Sequence, residues 1–232
     1  MKLLLTNDDG TDAPGMEALR RAVASFGEST VITPQHPISG CSHQVTLDRG
    51  LALIPTGPQC YMLDGTPADC VRVGVLAAAL PSDWVISGIN NGGNLGVDIY
   101  MSGTVAAVRE AALLDKPAIA LSQYLAPDHA LDWQRTAEVA AYVLGELFAR
   151  PAPVGAYWNV NLPATITKTD RLPELVFCPL DPHPLKVDYK SVDGRFHYRS
   201  NYQQRPRRPR CDVDVCFSGK VSITKVYLHG RA

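Results

Sequence analysis

The chain opens with a short apolar run, Lys2–Thr6, that ends abruptly in Asn7-Asp8-Asp9-Gly10. A run of this length closed by turn residues predicts a buried β-strand. Pro14 suits the first turn of a helix, where its missing N–H has no partner to lose. Met16, Leu19, Val23 and Phe26 then recur at helical spacing, with Glu17, Arg20 and Arg21 between them. Gly27 can end that helix, and residues 30–33 supply the next strand. Strand, helix, strand in this order predicts a βαβ unit and hence a parallel sheet covered by helices.

The same alternation continues. Residues 35–45 predict a long polar loop, and 59–63 a short strand. Thr66, with Pro67 behind it and Asp69 near the free N–H groups, predicts a capped helix reaching about Ala79. A brief strand over 83–87 runs into the glycine-rich stretch 88–96. Ser102 can cap a helix that buries Val105, Val108 and Ala112. Residues 118–122 predict a strand, and Trp133–Phe148 a long helix packed through Trp133, Ala137, Ala140, Leu144 and Phe148. A strand over 157–162 completes a doubly wound, mostly parallel, Rossmann-like α/β core.

Beyond residue 161 the pattern changes to strand-like pieces at 175–178, 185–189, 196–199, 213–217 and 221–228, broken by proline, glycine and charge. These predict hairpins added to one domain, with residues 1–165 as the core and 166–232 as an extension or arm. An arginine-rich run lies there (Arg195, Arg199, Arg205, Arg207, Arg208, Arg210). A solvated, mobile arm accounts for it, as does contact with phosphate or a partner.

Composition narrows the function classes. The 232 residues are 46% hydrophobic, with 22 basic and 23 acidic side chains and a net charge of −1. That balance gives no global attraction to nucleic acid or to an anionic membrane, and neither partner is expected. No apolar stretch is long enough to span a bilayer, and the N-terminus reaches charge too early for a signal peptide. The cytoplasm is the expected compartment. Six cysteines form no C-x-x-C pair and no cluster with histidine, so buried reduced thiols fit better than a zinc site.

The chemistry concentrates in loops expected beyond the carboxyl ends of the strands, where open α/β sheets bind ligands. Adjacent carboxylates such as Asp8 and Asp9 repel each other unless a cation neutralises them. With oxygen and amide ligands nearby, a hard ion such as Mg²⁺ or Mn²⁺ suits them better than zinc or copper. A simple capping role for either aspartate is the competing reading. Residues 88–96 match neither a P-loop nor a dinucleotide fingerprint. Their glycines can expose N–H groups to an anion, and Ser102 and Thr104 at a helix start offer a seat for phosphate.

Together these segments resemble the SurE family of survival-protein phosphatases, which act as 5'/3'-nucleotidases. The matching pieces are LLLTNDDG with DAPG after it, ISG at 38–40, GTPADC at 65–70, SGINNGGNLG at 87–96 and YMSGTVAA at 100–107. GKVSIT at 219–224 is similar to the family's closing strand. The resemblance implies one divalent ion per subunit, held by Asp8, Asp9, Ser39 and Asn90. It also implies phosphate contacts at Asn94, Ser102, Gly103 and Thr104. Expected substrates are nucleoside monophosphates and other small phosphomonoesters, with short polyphosphate for some members. Expected assembly is a homodimer or homotetramer built through the C-terminal arms.

In the mechanism this implies, Asp8, Asp9, Asn94, Ser102 and Thr104 carry catalysis, one aspartate anchoring metal and the other orienting water. A phospho-aspartyl route through Asp8 ranks below it. His36 or His43 could protonate the leaving oxygen, and Tyr100 could stack on a base, although each also suits an ordinary surface or packing role. The chain departs from the family pattern at residues 34–38, at His43, where asparagine is common, and at Lys225, where proline is typical. These departures leave an alternative: a diverged nucleotide-binding or assembly protein with weak or no catalysis.

Overall fold

A computed structural model describes residues 1–127, 129–168 and 171–228. Nine strands form one sheet in the order β3-β4-β2-β1-β5-β6-β7-β11-β8. At its centre lie β1 (Lys2–Thr6), β2 (Glu28–Pro34) and β5 (Trp84–Asn91). β4 (Cys60–Leu63), β6 (Ala118–Gln123) and β7 (Ala156–Leu162) extend the parallel run on either side. β3 (Leu53–Gly57) and β11 (Val221–Tyr227) pair antiparallel with β4 and β7, and β8 (Leu175–Phe177) runs parallel to β11 at the far edge.

The alternation in β1 explains how both faces are covered. Leu3 and Leu5 enter a core beneath α1 (Pro14–Val23) and α4 (Trp133–Phe148). Leu4 points to the opposite core, beneath α2 (Pro67–Arg72) and α3 (Gly103–Leu113). A strand buried on both sides reads as a continuous apolar run, which is why Leu3-Leu4-Leu5 shows no polar partner. Close approach also has a sequence cause: a Cβ at Gly15 would lie 2.0 Å from the Ile89 carbonyl oxygen. Glycine therefore lets the start of α1 rest on β5.

The doubly wound α/β architecture is as expected, with differences at the edges. The helix expected to reach residue 79 is α-helical only to Arg72 and continues as a π-turn over Val73–Ala77. β5 runs four residues past its expected end. β3 was not expected, because Pro55 and its exposed side chains carry no core-strand pattern; as an edge strand it needs none. The strand expected over 185–189 is displaced to β9 (Tyr189–Val192), which pairs with β10 (Arg195–Tyr198) in a separate two-stranded sheet.

The piece expected as a strand at 213–217 is a helix, α5 (Asp212–Phe217). Alternating Val213, Val215 and Phe217 mimic a strand period. Asp212 and Asp214 sit in the first helical turn, where carboxylates favour the exposed N–H groups. Nor is the arginine run uniformly solvated. Arg205 is buried and paired with Asp98 at 2.7 Å, whereas Arg195 and Arg199 are exposed. Among the described residues no helix is long and apolar enough to cross a membrane.

Candidate active site

Strand order reverses beside β1: the chain moves to β2 on one side and later to β5 on the other. The loop after β1 and the end of β5 therefore flank a crevice, the place where open α/β sheets admit ligands. Asn7 shapes the first wall. Its amide donates to the Gly10 carbonyl at 2.8 Å and its Oδ1 accepts from the Gly10 N–H at 3.0 Å. That local turn projects Asp8 and Asp9 from the strand end.

Asp8 is nearly enclosed. The Thr104 hydroxyl donates to its Oδ1 at 2.5 Å, linking the loop to the first turn of α3. Burial pushes the Asp8 carboxyl up from 3.8 to about 6; the Thr104 hydrogen bond offsets part of this, and the charge of Asp9 adds to it. Asp9 is half-buried. Burial raises its pKa too, against the pull of a hydrogen bond from the Asn91 backbone N–H. Two acids are thus held where neither ionises freely, and a cation would reverse both costs.

The remaining expected residues are distributed around this pair. The Ile38 N–H donates to the Asp8 carbonyl at 2.9 Å, which anchors loop 35–46 and sets Ser39, exposed, one residue further on. Asn90, next to last in β5, is half-buried; its amide nitrogen donates to the Gly92 carbonyl at 2.8 Å, and among the described residues no donor reaches its Oδ1. Gly103 presses directly on Asp8: an added Cβ would lie 3.0 Å from Asp8 Oδ2 and 2.9 Å from Cys41 Sγ. The glycine keeps the flank of that carboxylate open. Carboxylate, hydroxyl and amide oxygens are hard donors, the kind that Mg²⁺ and Mn²⁺ take.

Ser102 caps α3, its Oγ accepting from the Val105 N–H at 3.1 Å, so its own proton remains to be donated. Thr104 is fully buried and has its proton committed to Asp8. Asn94 lies deeper, its amide donating to Ser122 Oγ at 2.8 Å. Its backbone N–H donates to Asn161 Oδ1 at 2.7 Å, and its carbonyl accepts from the Asn159 and Asn161 amides at 2.9 and 3.0 Å.

Residues 3–180 match the family described as survival protein SurE. The chain belongs to the SurE family. A candidate 5'-nucleotidase of Synechocystis sp. is 46% identical over 226 residues, spanning 97% of this chain and 99% of that one. A protein named 5'-nucleotidase SurE from Anaeromyxobacter dehalogenans is 39% identical over 208 residues, spanning 85% and 80%. The crystal structure of the SurE protein from Aquifex aeolicus superposes with a TM-score of 0.84 at 29% identity, covering all of this chain and 95% of the other.

Contacts from distant parts of the sequence support the glycine-rich loop, and no local pattern announces them. The Leu95 N–H donates to Asp98 Oδ2 at 3.2 Å, and the Gly96 N–H to Asp212 Oδ2 at 2.7 Å. Arg205 bridges Asp98 and the Leu95 carbonyl, and the Tyr202 hydroxyl donates to Asp98 at 2.6 Å. The C-terminal segment thereby clamps the glycine-rich loop from behind. On the other flank, buried Glu110 accepts from His43 at 2.7 Å and Arg72 at 2.8 Å, which ties His43 down as a loop anchor. One signal could have exposed part of this: Asn159 and Asn161 are two buried polar residues in an otherwise apolar strand. A cavity of about 740 Å³ lies elsewhere, between β8 and α5.

Proposed function

We propose that this protein is a metal-dependent nucleotidase, hydrolysing the phosphate monoester of nucleoside 5'-monophosphates. The observation that carries the reading is Asp8: a buried carboxylate braced by Thr104, paired with Asp9, and left open on one flank by Gly103. The relatives named 5'-nucleotidase supply the substrate class.

Asp8, Asp9, Ser39 and Asn90 would hold one Mg²⁺ or Mn²⁺ ion, which when bound supplies Lewis acidity toward a phosphoryl oxygen. Asp8, buried and hydrogen-bonded, serves as the fixed anchor. Asp9 is less enclosed than Asp8, so its carboxylate can meet a water as well as the ion. It orients a water and takes its proton as the oxygen attacks phosphorus. The ester P–O bond breaks, the leaving alkoxide takes a proton from solvent, and inorganic phosphate remains. Ser102, the N–H groups that open α3 and the second amide proton of Asn94 meet the charge that builds on the phosphoryl oxygens.

The test is phosphate release from nucleoside monophosphates with Mg²⁺, with Mn²⁺ and with chelator. Release that depends on the added ion is expected; none from any monoester would refute the reading. The six cysteines are free thiols, which favours a cytoplasmic setting. We assign the β9–β10 hairpin to assembly of a dimer or tetramer, because Tyr189, Phe196 and Tyr198 stand exposed on it. Removing residues 189–198 should lower the mass seen by light scattering, and an unchanged mass would overturn the assignment.

A further inference from the structure

A cavity of about 490 Å³ opens beside the proposed phosphate site, beneath loop 35–46. Its wall includes Gln35, His36, Ile38, Gln44, Thr46 and Asp48. Gln35 follows the last residue of β2, and Asp64, which also lines it, follows the last residue of β4. The cavity therefore lies on the same carboxyl edge of the sheet as Asp8, over the strands on the β2 side. Adjacent strands are about 4.8 Å apart, so β4 lies about 10 Å from β1. That is the order of distance from the phosphorus of a nucleotide to its base.

Ile38 joins the two places. Its side chain lines the cavity while its N–H is bonded to the Asp8 carbonyl at 2.9 Å, and Ser39 follows it. The opposite direction is closed. Toward β6 and β7 the crevice is filled by Asn94, whose backbone is bonded to Asn159 and Asn161, and by Leu95 and Gly96, held by Asp98, Arg205 and Asp212. A group attached to a phosphate at Asp8 has room on the β2 side.

The chemistry of the wall suits a nucleoside. Arg49 and Asp64 are bonded to each other at 2.8 Å and form a spent, structural pair. Gln35, Gln44 and Asp48 are exposed, and among the described residues no side-chain hydrogen bond holds any of them. A glutamine amide offers a donor and an acceptor together, the pattern presented by a base edge. A carboxylate accepts from ribose hydroxyls, and Ile38 and Val45 give an apolar surface for the base plane.

We propose that this cavity is the nucleoside subsite, with Gln35 and Gln44 contacting the base and Asp48 the ribose. The assignment rests on the nucleotidase reading for the place of the phosphate. It makes loop 35–46 a specificity element as well as a carrier of Ser39.

The test compares kcat/KM for adenosine 5'-monophosphate with kcat/KM for phenyl phosphate, which has no nucleoside. In the double variant Gln35→Ala/Gln44→Ala the ratio of the two should fall by about 10- to 100-fold, from roughly 3- to 10-fold for each hydrogen bond lost. Both residues hold the fold through backbone alone, the Gln35 N–H donating to the Leu63 carbonyl and the Gln44 carbonyl accepting from Thr66, and alanine keeps both bonds. An unchanged ratio overturns the subsite while leaving the phosphatase reading intact. So does a ratio that moves with Tyr100→Ala instead, which would put the base over the exposed Tyr100 ring. Calorimetric titration with adenosine 5'-monophosphate separates the two failures. Binding that weakens in the double variant supports the subsite even if no substrate turns over, and no binding to the wild type overturns it.

Discussion

Replacing Asp8 by asparagine should stabilise the metal-free protein while disabling it. In the folded chain burial raises the Asp8 carboxyl from 3.8 to about 6. A rise of that size equals about 3 kcal/mol of unfavourable free energy in the ionised form at neutral pH. Because the folded value lies above the unfolded one, the stability linked to protonation is complete below about pH 4 and is lost as pH climbs through about 6. Asparagine does not titrate, and its Oδ1 can still accept from Thr104. In chelator, the variant should therefore be roughly as stable as the wild type near pH 4 and up to about 3 kcal/mol more stable at pH 8. Urea denaturation at several pH values measures the gap. Added Mg²⁺ should close most of that gap, since an ion present at about 100 times its Kd stabilises the wild type by about 2.7 kcal/mol and finds one fewer anionic ligand in the variant. Phosphate release should fall with it. A variant no more stable than wild type at pH 8, or a gap that ignores pH, would refute the account of Asp8 as a buried, unneutralised charge.

Three other substitutions probe the surrounding supports. Gly103→Ala places a methyl group 3.0 Å from Asp8 Oδ2 and 2.9 Å from Cys41 Sγ. It should cost about 1–3 kcal/mol and lower phosphate release more than tenfold, with the circular dichroism spectrum unchanged. Arg205→Ala leaves Asp98 buried without its cation and should destabilise the protein by about 3–5 kcal/mol in urea. Glu110→Gln tests the sign of an opposite shift: burial raises the Glu110 pKa, but the hydrogen bond from His43 and the charge of Arg72 outweigh it and hold the carboxyl low. Its contribution is present above the ordinary glutamate range and lost as pH falls through the lowered value. The variant should be less stable than wild type at pH 7 by about 1–3 kcal/mol, with the deficit shrinking in acid.

The central part of the fold was legible because its signals are local. Leu3-Leu4-Leu5 before Asn-Asp-Asp-Gly marks a buried strand and its turn, and Thr66 caps α2 as the sequence suggested, with Asp69 completing a capping box. The acidic pair was legible for the same reason, since adjacent carboxylates need no tertiary context to look costly. What stayed hidden depends on distant partners. Arg205 sat in a run of six arginines, and nothing local distinguished the one that reaches Asp98 from those left in solvent. Val213 and Val215 alternate like a strand, and only packing decides that α5 is helical. His43 looked like a surface residue until Glu110 closed over it from α3.

The clamp on residues 94–96 has a consequence for biosynthesis. Arg205 reaches Asp98 across 107 positions of sequence, and Asp212 reaches Gly96 across 116. During translation the parallel strands can assemble from the N-terminus and Asn159 and Asn161 can already hold Asn94, yet Leu95 and Gly96 lack their distant partners until residues 205–212 have left the ribosome. Chains cut short before Asp212 would retain most of the hydrophobic centre and lack the clamp on Gly96, so a truncated product could look folded while the crevice beside β5 is still unset.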